Sequence, residues 1–363
     1  MSNIEKLLEG VEVEWKTLGE VTNVLRGRRL TREQLSVDMK FPVFHGGLEP
    51  LGYKKKNNRP ANSVMIINVG ASAGTVGYSD VDFWSSDGCY CLEHSELLNN
   101  KFLYYYLIGK QNFLQSRVRK AGIPTLDGLV VEKLQIAIPP LSIQNEIVRI
   151  LDSFTELTAE LTAELTARKQ QYNYYRDKLL RFEDGEVELV ALQYLAENLD
   201  SMRKPVTSGL RDAGDIPYYG ASGIVDYVKD YIFDGEFLLI SEDGANLIAR
   251  NTPIAFSVSG KSWVNNHAHV LKFNTYAERR FVEYYLNSID LTSFISGAAQ
   301  PKLNQKNLNS IKIPNPSPKE QVRIVSILDT FDTLTNSITE GLPKEISLRK
   351  QQYEYYRDKL LTF

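Results

Sequence analysis

Few residues of this chain have the types and spacing of a reaction centre. Cys89, Cys91 and His94 could give three ligands to a soft metal, but a closed site wants four. No second Cys or His pair completes the set, so two buried thiols are expected and no metal. Gly260-Lys261-Ser262 has the ending of a phosphate-binding loop. However, Ala255 stands where the first glycine belongs, and Trp263-Val264-Asn265-Asn266 is a poor helix start. The run Gly70-Ala71-Ser72-Ala73-Gly74-Thr75-Val76-Gly77 has the wrong spacing for a dinucleotide fingerprint. It reads as a loop that lets backbone approach a partner closely, with Ser72 at its centre. No catalytic residue is expected.

The chemistry the residues do suit is contact with a polyanion. Residues 50–79 contain no acid and carry Lys54, Lys55, Lys56, Asn57, Asn58 and Arg59. Residues 97–126 are also acid-free and carry Arg119 and Lys120 among five cations. In the second half, residues 244–277 hold Arg250, Lys261 and Lys272 with His267 and His269, and residues 291–318 hold Lys302, Lys306 and Lys312. Lysine suits phosphate, whereas Asn and Arg suit base edges. Asn57, Asn58, Arg59, Asn246, Arg250, Asn265 and Asn266 are therefore the candidate base readers. For any single lysine a solvated loop is the competing reading.

The balance of charge argues against a crude polycation. Of 363 residues, 42 are Lys or Arg and 45 Asp or Glu, a net −3. Residues 1–140 hold 17 basic and 15 acidic residues, net +2, and residues 183–318 hold 12 and 17, net −5. Any grip on nucleic acid must come from local patches and be shared with a partner. The hydrophobic share of 43% is ordinary for a globular protein. No apolar run is long enough to span a bilayer, the first ten residues carry Glu5 and Glu9, and the closely spaced cysteines suit a reducing compartment. A cytoplasmic protein without membrane contact is expected.

The elements that must position these residues come in two copies. Residues 168–180 and 349–361 match at twelve of thirteen positions, with only Asn173 set against Glu354. Ile147-Val148-Arg149-Ile150-Leu151-Asp152 returns as Ile324-Val325-Ser326-Ile327-Leu328-Asp329. Pro124 corresponds to Pro301, so Gly122-Ile123-Pro124-Thr125 and Ala299-Gln300-Pro301-Lys302 read as one loop in duplicate. Phe41-Pro42-Val43-Phe44 and Ile216-Pro217-Tyr218-Tyr219 are a weaker pair. Leu151, Phe154, Thr158, Leu161, Leu165, Arg168, Tyr172, Tyr175 and Leu179 follow steps of three and four, one stripe on a long helix. That helix should run over residues 142–182, with Ser142 as N-cap. Its second copy should break at Gly341-Leu342-Pro343. From Asp329 to Arg349 is four residues more than from Asp152 to Arg168, which predicts a second helix one turn longer.

The expected fold is α+β. Two mixed α/β domains, 1–140 and 183–317, are joined by two long shared helices, 141–182 and 318–363. The helices would pair as an antiparallel coiled coil and give the chain an internal pseudo-two-fold axis. Duplex DNA is the commonest partner with matching symmetry.

The helix starts, Ile138-Pro139-Pro140-Leu141-Ser142-Ile143-Gln144 and Pro316-Ser317-Pro318-Lys319-Glu320-Gln321, together with the repeat spacing, resemble the specificity subunit of type I restriction-modification systems over the whole chain. The second copy departs from the motif where Ser317-Pro318 replaces Pro140-Leu141. Thr158-Ala159-Glu160-Leu161 and Thr162-Ala163-Glu164-Leu165 are similar to the tandem repeat of the type IC branch, where repeat number goes with the spacing of two half-sites. Four residues add about 6 Å of helix and about 40° of net rotation. The resemblance implies a non-catalytic DNA-reading adapter for a bipartite target. Two adenine-methyltransferase subunits would dock on it and restriction subunits would join through them. S-adenosylmethionine, ATP and Mg2+ would sit on those partners and no cofactor on this chain. Ile138-Pro139-Pro140-Leu141 itself lacks the polar first and aromatic last residues of an adenine-methyltransferase motif.

Outer helix faces bearing Gln144, Arg149, Gln171 and Arg176, and Gln321, Arg323, Gln352 and Arg357, are the expected docking surface for the methyltransferase. Two other readings stay open: a scaffold with two protein-binding heads that does not touch DNA, and an adapter of a related phage-exclusion complex.

Overall fold

A computed structural model describes residues 7–297 and 300–363. Ala299 of the duplicated loop lies outside the described residues. The chain divides into two compact units. Unit 1 comprises Met1–Thr162 with Glu345–Phe363, and unit 2 comprises Ala163–Lys344. Both are mixed α+β.

In unit 1, strands β1 (Glu14–Thr17) and β9 (Gln135–Ile138) form an antiparallel pair. A four-stranded antiparallel sheet has the order β2 (Val24–Arg26), β8 (Cys89–Leu92), β5 (Ser63–Ile67), β6 (Val76–Ser79). A three-stranded sheet has the order β4 (Gly52–Lys54), β3 (Phe41–Phe44), β7 (Trp84–Ser85). Ser63–Ile67 is buried along its whole length, as a central strand should be. Helix α1 (Asn100–Gly109) is capped by Asn99, whose side chain accepts from the N–H groups of Lys101 and Phe102. It packs Phe102, Leu103 and Leu107 into a core shared with Ile66, Leu126, Ile147, Leu151 and Leu360.

Unit 2 repeats this plan. Strands β10 (Glu188–Ala191) and β17 (Lys312–Asn315) pair as β1 and β9 do. The remaining strands make one sheet of six, ordered β11 (Glu197–Asn198), β16 (Ala268–Lys272), β14 (Phe233–Ser241), β15 (Ala255–Val264), β12 (Ala213–Gly220), β13 (Gly223–Val228). The single strand β15 does what β6 and β7 do separately in unit 1. There the chain turns between the two, with Ser79 donating to the Val81 carbonyl and Asp82 accepting from the Ala61 N–H. The weak match of Phe41–Phe44 with Ile216–Tyr219 is real in space. Phe44 lies beside Ser85, and Tyr219 beside Val264, each in a parallel strand pairing of its unit.

The shared helix starts are core. Helix α2 (Leu141–Leu179) buries Ile147, Val148 and Leu151 in unit 1. Helix α4 (Pro318–Asn336) buries Ile324, Val325 and Leu328 in unit 2 against Phe281 of α3 (Tyr276–Ser288). Each of these side chains stabilises its unit by roughly 1.5–3 kcal/mol of apolar burial. The aspartate that closes each motif is held from the neighbouring helix. Tyr105 donates to Asp152 Oδ1 at 2.6 Å and Lys101 lies 2.8 Å from Oδ2. Tyr284 donates to Asp329 at 2.6 Å, Arg280 Nε at 3.0 Å and Tyr276 at 2.7 Å.

Farther along, Phe154 stacks on Tyr356 of α5 (Gly341–Leu360) in unit 1, and Tyr175 stacks on Phe331 in unit 2. Burial pushes the hydroxyl of Tyr353, beside Tyr105, up to about 12, and does the same for Tyr172, with Asp332 adding to it.

Three helix expectations need correction. Ser142 lies within α2, which already starts at Leu141. The break in the second copy is at residues 337–340, before Gly341, and Pro343 sits in the first turn of α5, where its missing N–H costs no hydrogen bond. The four extra residues of the second copy are thus matched by a four-residue interruption, not by an added turn of helix. Gly341 starts α5 at φ +72°, a value that favours glycine.

Candidate nucleic-acid interface

The duplicated loop is built the same way in both units. The Gly70 N–H donates to the Pro124 carbonyl at 2.9 Å, and the Gly244 N–H to that of Pro301 at 3.1 Å. The Leu126 N–H donates to Asn68, and the Leu303 N–H to Glu242. Thr125 bridges both Val69 and Arg119, and Lys302 bridges both Asp243 and Ser296. The turn after the central strand is therefore sewn to the loop that precedes the shared helix.

In unit 1 this brings Ser72, Arg119, Lys120 and Thr125 to one loop cluster, with Arg119 and Lys120 exposed. In unit 2 it brings together Asn265, Asn266, His267 and Lys302. Both clusters combine backbone turns with exposed basic side chains, Arg119 and Lys120 in unit 1 and Lys302 in unit 2, of the kind that meet a phosphate backbone.

The carbonyl that anchors each loop is held by different chemistry. In unit 1, Tyr90 donates to the Leu126 carbonyl at 3.3 Å. In unit 2 the fully buried His269 donates from Nε2 to the Leu303 carbonyl at 2.7 Å, and its Nδ1 lies 2.6 Å from Asp200. Around it Arg203 pairs with Glu242 at 2.6 Å, and Lys302 with Glu242 at 3.0 Å. Burial acts to raise the carboxyl of Asp200, but the bond to His269, its charge and Arg203 together hold it below the usual aspartate range. Glu242 is likewise lowered in spite of burial, by Arg203, Lys302 and His269. Asp200, Arg203 and Glu242 escaped sequence reasoning because their partners lie far along the chain, Asp200 bonding His269 across 69 residues and Arg203 bonding Glu242 across 39, and no local pattern links them.

Several expected readers are spent inside the protein. Asn58 exchanges both amide groups with the backbone of Ser85, at 2.7 and 3.0 Å. Arg59 is half-buried and donates to the carbonyls of Asn58 and Arg26. Asn246 closes a loop onto both backbone groups of Thr252. Arg250, in the left-handed region at φ +52°, donates to the carbonyls of Ile289 and Leu286. Asn265 is buried and accepts from the His267 N–H, and His267 pairs with Asp243 at 2.8 Å. An asparagine or arginine that satisfies its own backbone cannot also present that edge to a base. Lys55, Lys56, Asn57 and Asn266 remain exposed, and Lys54 is half-buried over the Trp84 ring. Lys261 lies over the Tyr231 ring at 4.6 Å, and Gly260-Lys261-Ser262 is part of strand β15, so it wraps no phosphate.

The helix residues also divide. Gln144 is fully buried; it donates to the carbonyls of Pro139 and Leu97 and accepts from the Asn99 N–H. Gln321 likewise donates to the Pro316 carbonyl and also to the Asn315 side-chain oxygen. Neither lies on an outer face, because each ties its helix start to the head. Arg149 and Arg323 are exposed and paired with Glu146 and Glu320, one helical turn back. Gln171 accepts from Arg168 as Gln352 does from Arg349, and Arg176 pairs with Asp177 as Arg357 does with Asp358.

The family model for the type I restriction modification DNA specificity domain matches residues 10–168 and again 185–348. The chain belongs to this family. It is a type I specificity subunit with two such domains. It is 35% identical to the EcoR124I/EcoR124II specificity subunit of Escherichia coli, covering 100% of this chain and 97% of that one. It is 34% identical to a putative type I specificity subunit of Haemophilus influenzae, over 99% and 98% of the two chains. Among solved structures, the S subunit of a type I system from M. genitalium superposes with a TM-score of 0.68 at 19% identity, over 100% of both chains. That likeness speaks for the fold. Among the described residues no helix is long and apolar enough to cross a membrane.

Proposed function

We propose that this chain reads a bipartite DNA target, one half-site with residues 1–140 and the other with residues 183–317. The observation that carries the reading is the loop cluster built twice with the same hydrogen bonds, in a chain whose full-length relatives are named specificity subunits. On this reading Arg119, Lys120, Ser72 and Thr125 face DNA in the first half, and Asn266 and Lys302 in the second, with Lys54, Lys55, Lys56 and Asn57 as further contacts.

The helices of 141–182 and 318–363 act as an antiparallel spacer. Two adenine-methyltransferase subunits dock on faces bearing Arg149, Gln171, Arg176, Arg323, Gln352 and Arg357, and restriction subunits join through them. The chain itself is non-catalytic and binds no cofactor; S-adenosylmethionine, ATP and Mg2+ belong to the partners. Its place of work is the cytoplasm.

The test is methylation mapping in cells that express this chain with its methyltransferase. A single bipartite adenine-methylated motif is expected. A methylome unchanged from that of cells lacking the chain would sink the proposal.

A further inference from the structure

In each unit a tryptophan holds a basic residue by its backbone. Trp84 Nε1 donates to the Arg28 carbonyl at 3.0 Å, and Trp263 Nε1 to the Lys204 carbonyl at 2.6 Å. The same two residues donate their N–H groups to the strand beside the tryptophan: Arg28 to Ser85 at 2.9 Å and Lys204 to Val264 at 3.3 Å. Downstream, Thr31 precedes the short turn Arg32–Gln34, as Thr207 precedes Ser208–Leu210. The clamp is therefore part of the repeat, although its residues lie in the variable halves and share little local sequence.

With both backbone groups fixed inward, the side chain at the clamp must leave outward. Arg28, Arg29 and Lys204 are all exposed, and among the described residues none of the three has a side-chain hydrogen bond or ion pair. The approach is close in unit 1, where a Cβ on Gly27 would lie 2.1 Å from the Ser86 carbonyl oxygen, so only glycine fits. Lys54 adds a cation 3.4 Å above the Trp84 ring, and Arg26 is tied to the Asp87 carbonyl at 3.2 Å. Backbone held this firmly spares the cost of ordering the loop when its arginine meets an anion, and guanidinium groups match phosphate.

We propose that Trp84 and Trp263 are positioning residues that present Arg28, Arg29 and Lys204 to the DNA phosphate backbone as sequence-independent grips. This rests on the DNA-reading function proposed above. Two arginines against one lysine give the first half the stronger grip, in line with its net +2 against −5.

The test is duplex binding by the complex of full-length chain and methyltransferase, at several salt concentrations, on a duplex carrying the methylated motif and on a scrambled one. Replacing Arg28→Ala with Arg29→Ala should reduce the slope of log K against log salt by about 1.8, and Lys204→Ala by about 0.9. Both losses should be equal on the two duplexes. Trp84→Phe keeps a ring and loses the N–H; it should lower the slope by less than the arginine pair with the melting temperature retained.

An unchanged slope in the double arginine variant, or a loss confined to the cognate duplex, overturns the phosphate role. An unchanged slope in Trp84→Phe overturns the positioning role. If the unsubstituted complex shows no salt-dependent duplex binding, the DNA-reading function itself falls.

Discussion

Asp152 and Asp329 occupy one position of the shared motif but are held with unequal strength. The Lys101–Asp152 pair has a lysine whose side chain is 42% exposed, whereas Arg280 is 13% exposed and meets Glu283 and Asp332 as well as Asp329. Removing Asp329 costs the bonds it accepts from Tyr276, Arg280 and Tyr284 and leaves those donors in a largely buried network, whereas Asp152 loses the Tyr105 bond and an exposed pair that contributes little. Asp329→Ala should therefore destabilise its unit by roughly 2–4 kcal/mol and Asp152→Ala by about 1 kcal/mol, read from denaturant melts of the full chain. Equal losses would mean that the network around Arg280 contributes nothing beyond a single pair. The carboxyls beside His269 set a pH dependence. Asp200 and Glu242 lie below their ordinary values of 3.8 and 4.5 in the folded state. A depressed folded value gives stability that is present above the unfolded values and lost as pH falls through the folded ones. Unit 2 should lose stability below about pH 4, and Asp200→Asn should flatten that loss in melts between pH 7 and pH 3.

At the scale of elements, the shared helices carry two duties along one stripe. Their first turns are core of the heads, with Leu151 and Leu328 fully buried. The middle of α2 is less enclosed: Leu161 and Leu165 are half-buried, and Thr162, Ala163 and Glu164 between them are exposed. Removing residues 162–165 shortens the helix by about 6 Å and turns its far end by about 40°. The expected result is a shorter spacer in the methylated motif with both half-sites unchanged, read by sequencing methylated adenines. A changed half-site would mean that the repeat takes part in reading bases. The proposed spacer role also explains why the second copy can tolerate a break at 337–340, since the helix re-forms at Gly341 and the Tyr353–Tyr105 and Tyr356–Phe154 contacts are kept.

For the whole molecule, each head should be exchangeable. Each has its own sheet, its own core and its own anchoring of a helix start. Replacing residues 1–140 with the corresponding segment of a relative should change one half-site and preserve the other. A change in both would contradict independent reading.

The sequence by itself determined the duplicated plan, the long helices, the loop pair at Pro124 and Pro301 and the family. These are carried by near-identical local runs and by helical spacing, which survive in one dimension. Tertiary structure alone decided which polar residues are free. Asn58, Arg59, Asn265, Gln144 and Gln321 are the same types as a reader or a docking residue, and only their neighbours in space show that they are wholly or partly buried and bonded within the protein. It also decided that Trp84 with Arg28 and Trp263 with Lys204 are one device. Strand pairing brings each pair together across more than fifty residues, and hydrogen bonds between distant backbone groups leave no periodic trace in the chain.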